Sequence, residues 1–350
     1  MGDWKAFFPL NEKDILDIPV EKRLFVFWQS PQSATPPPGY ISLCLETFTR
    51  FNPDISILFL NYDNIPLLVK KPVDLRYFSL LSFPMQSDIL FIYFLYEYGG
   101  AFIDCDMIFT RKFNLFTKAN PRTLYAFGES GKFAHLAFFL AHHQKNFILW
   151  HVLQMQLIKI SLIESGVGKL NWDYVGNSIV NPLVEELSHS QNLNKISIIS
   201  SSSMFPERLF ENETSNLNAI EMYRKFYFSS GTEFRDVLEA AREGVIYLHN
   251  SWTPEKYKQM SANDFIKQDI LLAKIFKQLL EIDSVDEGEL IKIPIAKAST
   301  LIVDDTHKNI KTREESLRQE YENSTSWKLT KPLRTVSRAI KKIKRRLAPP

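Results

Sequence analysis

"EYGGAFIDCDMIF", residues Glu97–Phe109, decides how the chain is read. The paired glycines Gly99 and Gly100 stop a helix and turn the chain. An apolar run, Ala101-Phe102-Ile103, then begins and reads as a buried strand. At its end sit Asp104 and Asp106, with Cys105 between them. Ionised carboxylates are costly to desolvate and are rarely buried without a partner. Residues i and i+2 of a strand face the same side. The spacing therefore predicts two carboxylates converging on one point, with Cys105 facing away. Paired hard oxygen donors suit Mg²⁺ or Mn²⁺, which prefer carboxylates, water and substrate phosphates. Strand ends are also where an open α/β sheet binds ligands. A plainer reading stays open, in which the pair caps a turn or meets Arg111 and Lys112 in surface salt bridges.

Working outward, strands are expected at 23–29, 55–60, 100–106, 123–128, 196–200 and 245–250. Most are near-continuous apolar runs, which a sheet covered on both faces requires. Between them, "YISLCLETFTRFNP" places Ile41, Leu45 and Phe48 at helical spacing before Pro53. "QSDILFIYFLYEYGG" is apolar nearly all round and reads as a buried helix. Strands alternating with helices indicate an α/β fold with right-handed crossovers. The segments expected are a lead-in (1–22), a catalytic domain (23–283), a linker with a polar helix (284–330) and a basic tail (331–350).

Composition supports a large core, with 45% hydrophobic and 13% aromatic residues among 350 and only 12 glycines. That excludes general disorder. Two cysteines, Cys44 and Cys105, make neither a disulfide framework nor a zinc motif. The first residues carry scattered acids and read as no signal peptide. Ala6 fails the myristoylation pattern that follows Gly2.

"SDILFIYFLYEYGGAFIDCD" resembles the signature of GT-A sugar transferases, specifically glycosyltransferase family 32 and the capsular-polysaccharide-synthesis group. The match is close over residues 87–106 and loose over 23–252. The resemblance implies a GT-A type α/β fold, with a mixed, mainly parallel sheet flanked by helices. It also implies a nucleotide-diphosphate sugar as donor and Mn²⁺ or Mg²⁺ held by Asp106 and Asp104, with Asp104 also near the ribose. Asp88 would meet the ribose or a donor-sugar hydroxyl. Trp28, ending the family's opening strand in "KRLFVFWQS", would lie beside the base. "HNSW" resembles a late segment closing over metal and diphosphate, so His249 becomes a candidate metal ligand and Ser251 and Trp252 candidate donor contacts. A lone His at a strand end is equally an ordinary structural residue. In "WDYVGNSIVNPL", Gly176 and Asn177 would line the acceptor side, or simply start a helix. One departure stands out: the family has a basic residue three positions after the helix Asp, and here that position is Phe91.

The tail resembles the Ser-x-Ser-Trp-Lys-x-Thr-x-Pro-Leu-Arg ending of many bacterial glycosyltransferases. Residues 331–350 hold eight Lys and Arg and no acid. Leu333, Val336, Ile340, Ile343 and Leu347 recur every three or four residues, forming one apolar stripe. A basic helix with such a stripe suits an anionic membrane surface. A solvated tail and a nucleic-acid contact are the rivals, and the stripe has no use in the latter, so no nucleic acid is expected. The function expected is metal-dependent sugar transfer, with retention, to a lipid-linked or polysaccharide acceptor in capsule, O-antigen or lipopolysaccharide synthesis. The place expected is the cytoplasmic face of the membrane, peripherally bound. The alternatives are a protein-glycosylating effector toxin or a non-catalytic nucleotide-sugar-binding paralogue.

Overall fold

The computed structural model describes residues 11–29, 37–114, 116, 119–120, 123–129, 132–165, 173–188, 195–200, 204–205, 218–230 and 244–281. The chain divides into two units, Met1–Ile295 and Ala296–Pro350. The expected linker (284–330) and tail (331–350) lie outside the described residues, as does Trp172.

The strands are β1 (Arg23–Phe27), β2 (Ser56–Leu60), β3 (Gly100–Ile103), β4 (Met107–Phe109), β5 (Thr123–Glu129), β6 (Phe133–Ala141), β7 (Lys195–Ser200) and β8 (Val245–Tyr247). The helices are α1 (Glu12–Leu16), α2 (Gly39–Phe51), α3 (Ile65–Leu68), α4 (Phe83–Tyr98), α5 (Phe147–Glu164), α6 (Asn177–Ser188), α7 (Ala219–Tyr227), α8 (Glu255–Lys258), α9 (Ala262–Ile266) and α10 (Leu271–Leu280). Six strands form one sheet in the order β2-β1-β3-β6-β5-β7, and β4 pairs with β8 in a second, small sheet. Pairings β1–β2, β1–β3 and β5–β7 are parallel, while β3–β6 and β5–β6 are antiparallel. The architecture is the expected α/β one, a mixed, mainly parallel sheet flanked by helices.

The apolar runs are explained by the two covered faces. Leu24 and Val26 of β1 and Ala101 and Ile103 of β3 face the core that holds α2, α9 and α10. Phe25, Phe27 and Phe102 face the opposite core, which holds α4 and α5. Helix α5 is long and apolar enough to cross a membrane by length and composition, and a third of it is buried. Its inward residues Leu149, Val152 and Leu153 are part of the α4 core.

Two expectations need correction. Phe133–Ala141 is a nine-residue strand not among those expected, and it is the antiparallel β6 at the centre of the sheet. A run that is apolar but for His135, without sustained period-2 alternation, carries no helix-or-strand signal of its own. The strand expected over 100–106 instead ends at Ile103, and the chain turns at Cys105-Asp106 before β4.

The turn before β3 shows why Tyr98-Gly99-Gly100 is glycine-rich. Gly99 and Gly100 have φ of 65° and 106°, which L side chains rarely adopt. A Cβ on Gly100 would lie 2.8 Å from both the Cβ and the carbonyl oxygen of Arg23. The buried Arg23 guanidinium donates to the carbonyls of Leu16, Ile18 and Tyr98, tying the chain before β1 to this turn.

Candidate metal and donor site

Register brings the site together. The last parallel pair of β1 and β3 is Val26 with Ile103. One step further places Phe27 level with Asp104, and Trp28 just beyond, at the carboxyl end of the sheet. The Cys105 thiol donates to the Phe27 carbonyl at 3.2 Å, so Cys105 points into the core as expected. The aspartates converge by a different route from a strand's pleat. The Asp104 N–H donates to the Ala137 carbonyl, extending the β3–β6 pairing, while the Asp106 carbonyl accepts from Leu248 N–H, extending β4–β8. The Asp104-Cys105-Asp106 turn is therefore the joint between the two sheets, and one carboxylate comes from each side of it.

Each carboxylate is held by a donor from the segment that follows β8 or from β8 itself. The Tyr247 hydroxyl donates to Asp104 Oδ2 at 3.0 Å. The Asn250 N–H donates to Asp106 Oδ2 at 2.8 Å, and the Tyr40 hydroxyl in turn donates to Asn250 Oδ1. Asp106 is buried at 7% exposure, and Asp104 is half-buried. Burial pushes the Asp104 carboxyl up to about 6, with the Tyr247 hydrogen bond pulling the other way. Burial first, then the neighbouring Asp104 charge, pushes Asp106 well above the usual carboxylate range. Among the described residues neither has a salt bridge, and Lys112 faces Asp54 instead. Two hard, desolvated carboxylates without a protein cation fit a small divalent cation that keeps its remaining positions for water and phosphate.

Asp88 reaches the same end of the fold by arithmetic. Ten helical residues from Asp88 to Tyr98 rise about 15 Å, and the return along β3 to Asp104 covers roughly 13 Å. Asp88 accordingly feels the Asp104 charge: burial, then Asp104 and Asp173, raise its carboxyl well above the ordinary value. Phe91, one turn later, faces the sheet. Its ring is 4.5 Å from Phe102 and 5.2 Å from Phe139, at 1% exposure. The basic residue of the resembled family is replaced here by a core residue.

His249 immediately precedes Asn250, whose N–H donates to Asp106. Among the described residues no set of three or more His, Cys, Asp or Glu side chains forms a metal-binding group. The His249 ring lies 3.9 Å from Trp252, stacks near Phe205 and packs edge-on to Tyr223 and Tyr247. Its Nε2 is buried. His249 thus packs in an aromatic cluster on the segment that carries Tyr247 and Asn250. Ser251 is exposed and Trp252 half-buried at the end of it. Trp28 is half-buried, its N–H donating to the Leu60 carbonyl. Beside it Tyr62 is 41% exposed, its N–H donating to Gln29 Oε1 at 3.0 Å.

Tyr40, Tyr62, Tyr247 and Asn250 were not singled out as site residues by sequence reasoning. For Asn250 the signal existed, since it sits inside "HNSW". For the tyrosines there was none.

Residues 38–123 match the sequence profile of the family described as the glycosyltransferase sugar-binding region containing the DXD motif. Among solved structures the chain is similar to PaToxG glycosyltransferase, with 14% identity, coverage of 75% of this chain and 88% of that one, and a TM-score of 0.30. It is also similar to galactosyltransferase LgtC in complex with donor and acceptor sugar analogues, with 10% identity, coverage of 75% and 98%, and a TM-score of 0.38. No curated protein matches the chain in sequence. The profile runs from the residue before α2 to the start of β5, and so contains Asp88, the glycine turn and the two-carboxylate joint between the sheets; over that segment the chain is similar to the sugar-binding region of DXD-containing glycosyltransferases.

Proposed function

We propose that this glycosyltransferase moves a sugar, with retention, from a nucleotide diphosphate to a lipid-linked or polysaccharide acceptor in capsule, O-antigen or lipopolysaccharide synthesis. The observation that supports metal dependence is the Asp104–Asp106 pair, desolvated and unpaired with any cation of the described protein. Mn²⁺ or Mg²⁺ bound there supplies positive charge to the departing diphosphate. The protein's own part is orientation. Tyr247 and the Asn250 N–H hold one oxygen of each carboxylate, leaving the others for the ion. Trp28 offers a half-buried indole to the base, Asp88 an acceptor to donor hydroxyls, and Ser251 and Trp252 a rim beside the diphosphate.

Location is proposed from the tail. Each Lys or Arg near an anionic membrane contributes about 1 kcal/mol, and eight of them lie in residues 331–350 beside an apolar stripe. The enzyme is placed on the cytoplasmic membrane face, where lipid-linked acceptors are presented. Deleting residues 331–350 should release the protein from phosphatidylglycerol-containing vesicles and leave donor hydrolysis intact; unchanged vesicle binding removes the anchor.

The test of the activity is release of nucleoside diphosphate from a panel of UDP- and GDP-linked hexoses. Release should require Mn²⁺ or Mg²⁺ and vanish in Asp106→Ala. Metal-dependent donor binding without turnover on any donor would instead mark a binding protein.

A further inference from the structure

We propose that Gly176 and Gln156 are positioning residues that hold the Asp88 carboxylate as an acceptor for hydroxyls of the transferred sugar. The proposal rests on the donor site described above and adds to it two residues from outside the matched segment 38–123.

Gly176 immediately precedes α6. Its backbone is not in the left-handed region, since the positive-φ glycines of the described residues are Gly99, Gly100 and Gly244. Conformation therefore does not demand glycine there. Space does: a Cβ would lie 2.3 Å from Asp88 Oδ2, 3.0 Å from Asp88 Cγ and 3.0 Å from Leu136 Cδ1. The carboxylate occupies the place where any other residue would carry its side chain.

Gln156 of α5 joins the two partners. It is 0% exposed. Its Nε2 donates to the Asp88 carbonyl at 3.1 Å and to the Val175 carbonyl at 2.8 Å. One amide thus ties the α4 turn that carries Asp88 to the residue before Gly176. One turn along α5, Lys159 donates to the Tyr174 carbonyl at 2.8 Å and to Ser178 Oγ at 2.7 Å, holding the same segment from its other side.

What is held is an acceptor. Among the described residues no hydrogen-bond donor reaches the Asp88 carboxylate. Gln156 Oε1 and Asn177 Oδ1 are likewise buried and receive no donor. A carboxylate that feels the Asp104 and Asp173 charges repels a further anion and is completed by hydroxyl groups. Phe91, sealed between Phe102 and Phe139, brings no cation to it. The transferred sugar is the hydroxyl-rich part of the donor that differs between a sugar nucleotide and its nucleoside diphosphate.

The test compares UDP- and GDP-hexoses with UDP and GDP in the presence of Mn²⁺, using the full chain. Gly176→Ala should lower kcat/KM for sugar-nucleotide hydrolysis on the order of 100-fold, as about 1 Å of misplacement does. UDP or GDP affinity should stay within about twofold. In an Asp88→Ala background, Gly176→Ala should cost nothing further in activity or melting temperature, because the group it displaces is gone. Gln156→Glu, which keeps the shape and removes the donor, should show the same sugar-specific loss at roughly tenfold; it also serves if Gly176→Ala fails to fold. Equal losses for hexose donors and bare diphosphates, the same loss in both Asp88 backgrounds, or unaltered variants would overturn the proposal. If the unaltered protein binds no UDP or GDP with Mn²⁺, the donor-site reading itself falls, an outcome separable from failure of the variants alone.

Discussion

The two ends of β3 are built on opposite rules. At its start, Gly99 and Gly100 turn the chain, and three carbonyls nearby are met by the Arg23 guanidinium. At its end, Asp104 and Asp106 carry more acceptor capacity than Tyr247 and Asn250 satisfy. Four residues of strand separate a closed end from an open one. Buried polar groups that find partners stabilise a fold, and those left wanting mark where a ligand completes it. The closed end is structural and the open end is chemical.

That contrast breaks most clearly at Asp106. Asp106→Asn keeps an acceptor for the Asn250 N–H and removes the charge. Donor turnover should fall roughly 10³-fold, while the metal-free protein should melt at an equal or higher temperature. A variant both unstable and active would make the open end structural after all. At the closed end the pattern should invert. Gly100→Ala forces a φ of 106° on an L residue and a 2.8 Å contact with Arg23. Urea unfolding should show a loss of about 3 kcal/mol, with donor KM unchanged in the protein that remains folded.

A smaller effect concerns pH. The Asp104 carboxyl is raised to about 6 in the folded protein by burial. The folded state thus holds this proton more tightly than the unfolded chain does. Its contribution to stability is complete below about pH 4 and is lost as pH rises through about 6. Melting temperatures of metal-free protein should fall over that window, and Mn²⁺ should raise them more at about pH 8 than at about pH 5. A metal effect independent of pH would mean that the ion does not sit on these carboxylates. The smallest effect is expected for Tyr247→Phe, which removes the donor to Asp104. Titration with Mn²⁺ should show affinity changed by about fivefold, equivalent to roughly 1 kcal/mol for one hydrogen bond, with the Asp106–Asn250 contact retained.

The sequence alone determined the local grammar of this protein. Helix α4, the glycine turn, the strand after it and the pair Asp104 and Asp106 lie within 24 consecutive residues, 83–106, and each is a near-neighbour signal. Strands β1, β2, β5 and β7 were legible for the same reason, as apolar runs between turn residues. Only tertiary structure decided what those signals meant together. It inserted β6 into the sheet, made the aspartate pair a joint between two sheets, and drew His249 into an aromatic cluster. The hydrogen bonds that finish the site span 143 residues from Tyr247 to Asp104, 144 from Asn250 to Asp106 and 210 from Tyr40 to Asn250. Gly176 looked like a helix start, and its missing Cβ makes room for a carboxylate 88 positions earlier. Contacts at such separation leave no periodicity or spacing in the chain, because they are set by how packed layers meet, and not by the residues beside them.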